Sequence, residues 1–211
     1  AKARLDDLAL FLPVLWVGVS EHHTRFPGTV TVAQETYIQM LDEMMESLIG
    51  NGFTRILLLN AHGGNVVPGK AALYRVQMRH RDRRELWLAF ATWYQLAAPQ
   101  IAELSDLEQD HVTHACELET SMVLRLRPEL VDMDAAEGAL VPFESAFYSP
   151  DAREASRLTV ARPIEHISVT GGYGHPELAT AEKGEALFET VVDEVVACVR
   201  EIASWETWAP K

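Results

Sequence analysis

The sequence is poor in cysteine and in positive charge, and each shortage excludes classes of function. Cys116 and Cys198 are the two cysteines in 211 residues. They lie far apart and form no CxxC pair, so they read as free thiols in a reducing compartment. Lys and Arg number 18 against 31 Asp and Glu, a formal net charge of −13. A chain this acidic lacks the basic stripe that nucleic acid requires, and it offers nothing to an anionic membrane surface. No apolar run reaches the ~18 residues of a membrane span. The first residues, AKARLDD, are charged, unlike the start of a secretory signal. Low-complexity stretches, internal repeats and Gly/Ser linkers are absent as well. What remains, 48% hydrophobic and 23% charged residues, is an ordinary globular composition that can bury a core without disulfides. The expectation is a single acidic, soluble, cytoplasmic domain spanning residues 1–211.

Apolar spacing predicts the elements. Leu8 to Val19, interrupted by Pro13, reads as a buried strand leading to a loop. Residues 34–49 carry a helical stripe of Tyr37, Met40, Leu41, Met44 and Leu48, stopped by Gly50-Asn51-Gly52. Thr54–Leu59 is a short aliphatic strand, 68–80 a helix opening at Pro68, and Leu86–Trp93 a second strand. Helices follow at 114–127 and at 181–205, the latter with Leu187, Val191, Val195 and Val199 in register and Thr180 as its cap. Strands alternating with helices predict an α/β fold, a sandwich on a mostly parallel sheet. In such sheets the chemistry gathers in loops at the carboxyl ends of strands.

Three segments fit that rule. Ser20-Glu21-His22-His23, ahead of Phe26-Pro27-Gly28-Thr29, is either a solvated turn or a ligand loop, since neutral imidazole is the commonest metal ligand. Asn60-Ala61-His62-Gly63-Gly64-Asn65 places a histidine and two glycines where an aliphatic strand ends; the glycines permit close approach of a ligand to the backbone. His111, His114, Glu117 and Glu119 fall within nine residues, and on a helix His111, His114 and Glu117 would share a face while Glu119 turns away. Imidazole with carboxylate suits general acid–base catalysis and divalent-metal binding; a charged face in water is an alternative reading for Glu117 and fits Glu119 less well, since Thr120-Ser121 and apolar Met122-Val123-Leu124 follow it. Other templates fail. There is no HExxH; Gly18-Val19-Ser20 lacks the second glycine of a nucleophile elbow; Gly171-Gly172-Tyr173-Gly174 lacks a dinucleotide fingerprint and reads as a loop that closes over a ligand.

Taken together, Ser20-Glu21-His22-His23-x-x-Phe26-Pro27-Gly28-Thr29, Asn60-x-His62-Gly63-Gly64-Asn65 and His114-Ala115-x-x-x-Glu119-Thr120-Ser121 resemble the creatininase (creatinine amidohydrolase) family. The similarity continues through Pro128-Glu129-Leu130-Val131-Asp132 and Gly174-His175-Pro176 to Gly184. The resemblance implies a three-layer α/β/α fold, a homo-oligomer, usually a hexamer, and hydrolysis of a non-peptide or cyclic amide C–N bond in a small molecule. It also implies a divalent-metal cofactor (zinc, manganese or iron), with two ions in an intact site. By position, His62 and Glu119 match metal ligands and His114 the catalytic histidine. Ser20 matches a substrate-contacting serine, and Glu21, His23, Gly63 and Trp93 would line the substrate side. The implied chemistry is a metal-activated water attacking the amide carbon, with His114 carrying the proton to the leaving nitrogen.

The chain departs from the family pattern in places. Gly63-Gly64 stands where creatininase has a Tyr-Glu pair, Cys116 replaces a glycine, and the residues before His114 differ, which argues against creatinine as the substrate. The family's first motif, a Glu-x-His with a following Asp, would lie upstream of Ala1, and an N-terminal piece is expected there. Two further readings follow: a metal-free paralogue with an assembly role, or another hydrolase on this scaffold, such as a deformylase, an inosose or lactone hydrolase, or a peptide-trimming enzyme. His62 and Glu119 are expected to meet in one cleft. As a two-ligand set they would chelate weakly, and only Glu21, His22, His23 and His111 could complete a site.

The stripe at 37–48 and the long C-terminal helix offer more apolar surface than one sheet face covers, and such surplus usually marks a partner. Light scattering at micromolar concentration should therefore show an oligomer; a single monomeric species would contradict this.

Overall fold

The computed structural model describes residues 1–109, 111–139, 141, 143–153 and 156–207. They fall into two compact units. One comprises Ala1–Thr24, Gly28–Trp93 and Val195–Lys211; the other comprises Arg25–Pro27 and Tyr94–Glu194.

In the first unit, helix α1 (Gln34–Gly50) buries Tyr37, Leu41, Met45 and Ile49, one residue per turn. The predicted stripe is thus rotated by about one position: Met40 and Leu48 flank the core half-buried instead of forming it. Helix α2 (Val66–Arg79) starts two residues before the predicted point, with Pro68 in its first turn, where a missing N–H breaks no helical hydrogen bond. Strands β1 (Arg55–Asn60) and β2 (Trp87–Thr92) pair in parallel, in register from Arg55↔Trp87 to Asn60↔Thr92. The α/β class with parallel strands is therefore correct. Their shared core joins Val19, Tyr37, Leu41, Met45, Ile49, Ile56, Ala72, Val76 and Leu86. On the helical surface Arg75 and Arg79 hold the buried Asp42 at 3.0 and 3.2 Å, and His80 pairs with Glu46 at 2.7 Å.

Two strand expectations need correction. Leu8–Val19 forms no strand; Leu10, Val14 and Trp16 are 68, 88 and 79% exposed. Apolar character alone does not make a strand, because the ladder requires a neighbour to hydrogen-bond. β1 is also less buried than its aliphatic run suggests, with Leu59 47% exposed.

A single turn, α3 (Trp93–Leu96), follows β2, and another, α4 (Ala98–Ile101), lies in the second unit. That unit is built on α5 (Glu117–Leu126) and the first part of α6 (Ala181–Ser204), whose last turns belong to the first unit. Thr180 caps α6 as expected, accepting from the Lys183 amide at 3.2 Å. Along α6, Leu187, Val191 and Val195 are buried. At Gly184 the two helices touch: a Cβ there would stand 2.0 Å from the Ser121 carbonyl oxygen.

Helix α5 starts at Glu117, not at 114, so His111 and His114 do not share its face. The cause is local. Ala115 has a left-handed φ of 45°, which breaks helical continuity, and His114 pairs with Tyr173 in an antiparallel bridge. Glu117 is not a solvated residue either. It is fully buried, accepts the Glu108 and Gln109 amides at 3.0 and 2.6 Å, and binds Lys183 Nζ at 2.6 Å.

Burial disfavours the charged form of Lys183, but the hydrogen bonds it donates to Glu117 and Glu108 outweigh this and hold the amine above its ordinary value. Lys183→Met, which strands a buried carboxylate, should lower unfolding stability by about 3 kcal/mol in urea titrations. Because the folded amine titrates higher than the unfolded one, this contribution is full below the unfolded value near 10.5. The gap between wild type and variant should therefore hold at pH 7–9 and shrink only as pH rises through the folded value.

Candidate functional site

In the first unit the site is assembled at the carboxyl end of the sheet. Asn60 and Thr92 sit opposite each other as the last ladder pair. The Asn60 amide donates to Thr92 Oγ1 at 3.2 Å and to the His62 carbonyl at 2.8 Å, while Asn60 Oδ1 accepts the His62 amide at 3.2 Å. His62 is thus clamped directly behind the strand. Gly63, Gly64 and Asn65 turn once and lead into α2, and Gly63 is exposed.

The segment carrying Ser20 to His23 reaches this loop through backbone clips. Asn65 Oδ1 accepts the Val19 amide at 2.9 Å, and Thr31 Oγ1 accepts the Ser20 amide at 2.8 Å. Glu21–His23 form a single helical turn. His62 Nε2 lies 3.0 Å from the Val19 carbonyl; since a carbonyl only accepts, this nitrogen carries the proton. Ser20 Oγ is 3.0 Å from the same nitrogen and 3.3 Å from His23 Nδ1.

The outcome is a cluster of three imidazoles. Ring centroids of His22 and His23 are 4.0 Å apart, those of His22 and His62 5.6 Å, and those of His23 and His62 5.7 Å. One nitrogen from each lies within 4.8 Å of the others. Burial lowers the pKa of His22, helped by the neighbouring His62 and opposed by Glu21; burial also lowers that of His62 against its bond to Val19. Both rings therefore favour the neutral form, the form that binds a metal. His23 is buried, Glu21 is exposed, and Trp93 is half-buried in the turn after β2.

The second unit holds His114 and Glu119. Glu119 Oε2 accepts the Ala115 amide at 2.6 Å and lies 3.8 Å from His114 Nδ1. Burial raises the Glu119 carboxyl above its usual range, against the lowering effect of that amide. Tyr94 is pushed up to about 12 by burial and by Glu119. The loop is held by residues that sequence reading passed over. Gln109 donates to the His111 carbonyl at 2.7 Å and accepts the His175 amide at 2.8 Å. Asp151 accepts the Val112 amide at 3.2 Å and pairs with Arg153. Nothing in their spacing signals these roles, because each acts through backbone groups remote in sequence; only Asn65 and Lys183 lay inside recognisable motifs. Ser20, Glu21, His23, His62, Gly63 and Trp93 thus belong to one unit, and His114 and Glu119 to the other.

Comparison with known proteins bears on these residues. Residues 1–199 match the family described as Creatininase, creatinine amidohydrolase. A mycofactocin precursor peptide peptidase of Mycobacterium tuberculosis is 29% identical over 214 residues, covering 97% of this chain and 72% of that protein. A 3-dehydro-scyllo-inosose hydrolase of Thermotoga maritima is 28% identical over 206 residues, covering 89% of this chain and 63% of that protein. The creatinine amidohydrolase of Pseudomonas putida is 24% identical over 207 residues, covering 92% of this chain and 75% of the relative. A solved creatininase described with manganese superposes with a TM-score of 0.76 at 20% identity, over 97% of this chain and 79% of that one. At that identity the likeness speaks for the fold. The family match supplies the rest: running through 199 of 211 residues and both histidine loops, it makes this chain a member of the creatininase family of hydrolases.

Proposed function

We propose that the protein is a metal-dependent amidohydrolase that cleaves a non-peptide or cyclic amide C–N bond in a small molecule. The observation carrying this reading is the family match through residues 1–199, a span that includes His62, His114 and Glu119. His62 and Glu119 each match a metal-binding position of the family, and the imidazole donors around His62 suit a divalent ion. When bound, such an ion supplies Lewis acidity and lowers the pKa of water toward neutrality.

The remaining work belongs to side chains of this chain. The His114 side chain is 35% exposed, so an incoming substrate can reach it, and the Glu119 carboxylate lies 3.8 Å from its Nδ1. An imidazole can take a proton from water and return it to a leaving nitrogen near neutral pH. Ser20, itself hydrogen-bonded to His62 and His23, presents a hydroxyl for a substrate carbonyl or amide.

A second reading, trimming of a peptide, is favoured by the 29% identity to a mycofactocin precursor peptide peptidase. A panel of creatinine, other cyclic and linear small amides, and short peptides separates the two. Small-amide turnover should disappear with chelator and return with Mn²⁺ or Zn²⁺, and His114→Ala and Glu119→Gln should each lose about 10²-fold or more in kcat. Turnover confined to peptides would replace the first reading with the second.

A further inference from the structure

We infer that Gln109 is a positioning residue for His114: its side-chain amide joins the two loops whose backbones pair at His114. This deepens the function proposed above and rests on it only for the part His114 takes in proton transfer. Every residue involved lies in the second unit. Gln109 is buried, and both ends of its amide are used. Nε2 donates to the His111 carbonyl at 2.7 Å and to Thr113 Oγ1 at 3.2 Å, while Oε1 accepts the His175 amide at 2.8 Å. Its own backbone amide is fixed to Glu117 Oε2 at 2.6 Å, at the start of α5.

These bonds reach His114 from both loops. Thr113 Oγ1, having accepted from Gln109, turns its own proton to the Tyr173 carbonyl. That carbonyl also accepts the His114 amide at 3.1 Å, and the Tyr173 amide donates back to the His114 carbonyl at 2.8 Å. Gln109 Oε1 meanwhile holds His175, two residues past Tyr173. The packing leaves little slack. Gly174, between them, has a φ of 145°, and a Cβ there would stand 2.8 Å from Gln109 Oε1 and 2.9 Å from Thr113 Oγ1. Ala115, directly after His114, has a left-handed φ of 45°. That backbone is unfavourable for a residue with a Cβ and persists only where surrounding contacts over-determine it. Loss of the Gln109 amide would release the His111 carbonyl, Thr113 and His175 together, and the loop would relax with His114 on it. Glutamate could not substitute, because its carboxylate would face the His111 carbonyl acceptor to acceptor. A side chain that trades a proton with water and a leaving nitrogen is sensitive to such a shift, since misplacement by about 1 Å can cost ~10²-fold in rate.

The test is a double-mutant cycle on the full chain supplied with Mn²⁺ or Zn²⁺, using whichever small amide or peptide of the panel the wild type turns over. Gln109→Met keeps the volume and removes the amide. The expected result is a kcat lower by roughly 10- to 10²-fold with KM near that of the wild type, in a variant that melting and circular dichroism show to be folded. In a His114→Ala background the same substitution should leave the residual turnover unchanged, because residues acting as one unit are not additive. A wild-type kcat in Gln109→Met overturns the inference. So does an equal fold-loss in both backgrounds, which a purely structural role would give. If Gln109→Met does not fold, Thr113→Val takes its place in the cycle, cutting the relay at its next link with Gln109 intact, and the same two outcomes decide. A wild type that turns over nothing in the panel overturns the functional proposal alone. The placement of His114 is then read from its ring Cε1–H resonance, assigned by its loss in His114→Ala. A shifted or doubled resonance in Gln109→Met, with that of His80 in the first unit unmoved, supports the inference, and an unmoved His114 resonance overturns it.

Discussion

The hydrogen bond from the Val19 amide to Asn65 Oδ1 is the constraint on which the candidate site depends. It is buried, 2.9 Å long, and joins residues 46 positions apart. The same residue presents its carbonyl to His62 Nε2, so Val19 is tied to the loop through both of its backbone groups. The segment before it has no strand ladder to place it. With Asn65 replaced by an apolar residue, a buried N–H would be left without its acceptor, at a cost of about 1–3 kcal/mol. The turn bearing His22 and His23 would lose its position beside His62. Side-chain caps on remote backbone are how a rigid sheet end places a functional loop.

The second unit applies the same device with a charged group. Buried Glu117 takes two amides of the preceding loop and the amine of Lys183, and Lys183 also donates to the Leu178 carbonyl at 2.8 Å. A carboxylate this deep is tolerated because two amides and an ammonium donate to its oxygens. It ties the backbone of Glu108 and Gln109 to the start of α5. Glu119, one helical turn outward from the loop, stays partly open and is left beside His114. Two glutamates two positions apart thus differ: Glu117 is buried by the fold, and Glu119 stays partly exposed beside His114.

Much of this was legible in the sequence. Element type followed from apolar spacing for α1, α2, β1, β2 and α6, since a long periodic stripe has few alternatives. The loops carrying His62 and His114 could be recognised because chemistry gathers at strand ends and because their motifs recur in a known family. The spacing failed where partners are distant. Leu8–Val19 has the composition of a strand and pairs with no strand among the described residues, and His114 precedes a helix but is drawn into a bridge with Tyr173.

The sequence by itself determined the acidic α/β character and the type of most elements, because these depend on composition and on apolar spacing within a few residues. Tertiary structure alone decided which polar side chains meet. His22, His23 and His62 meet because a buried asparagine captures the Val19 amide, and Glu117 is buried because Lys183 stands 66 residues away to receive it. Both are polar contacts between distant backbone and side-chain groups, and no local periodicity encodes such a contact.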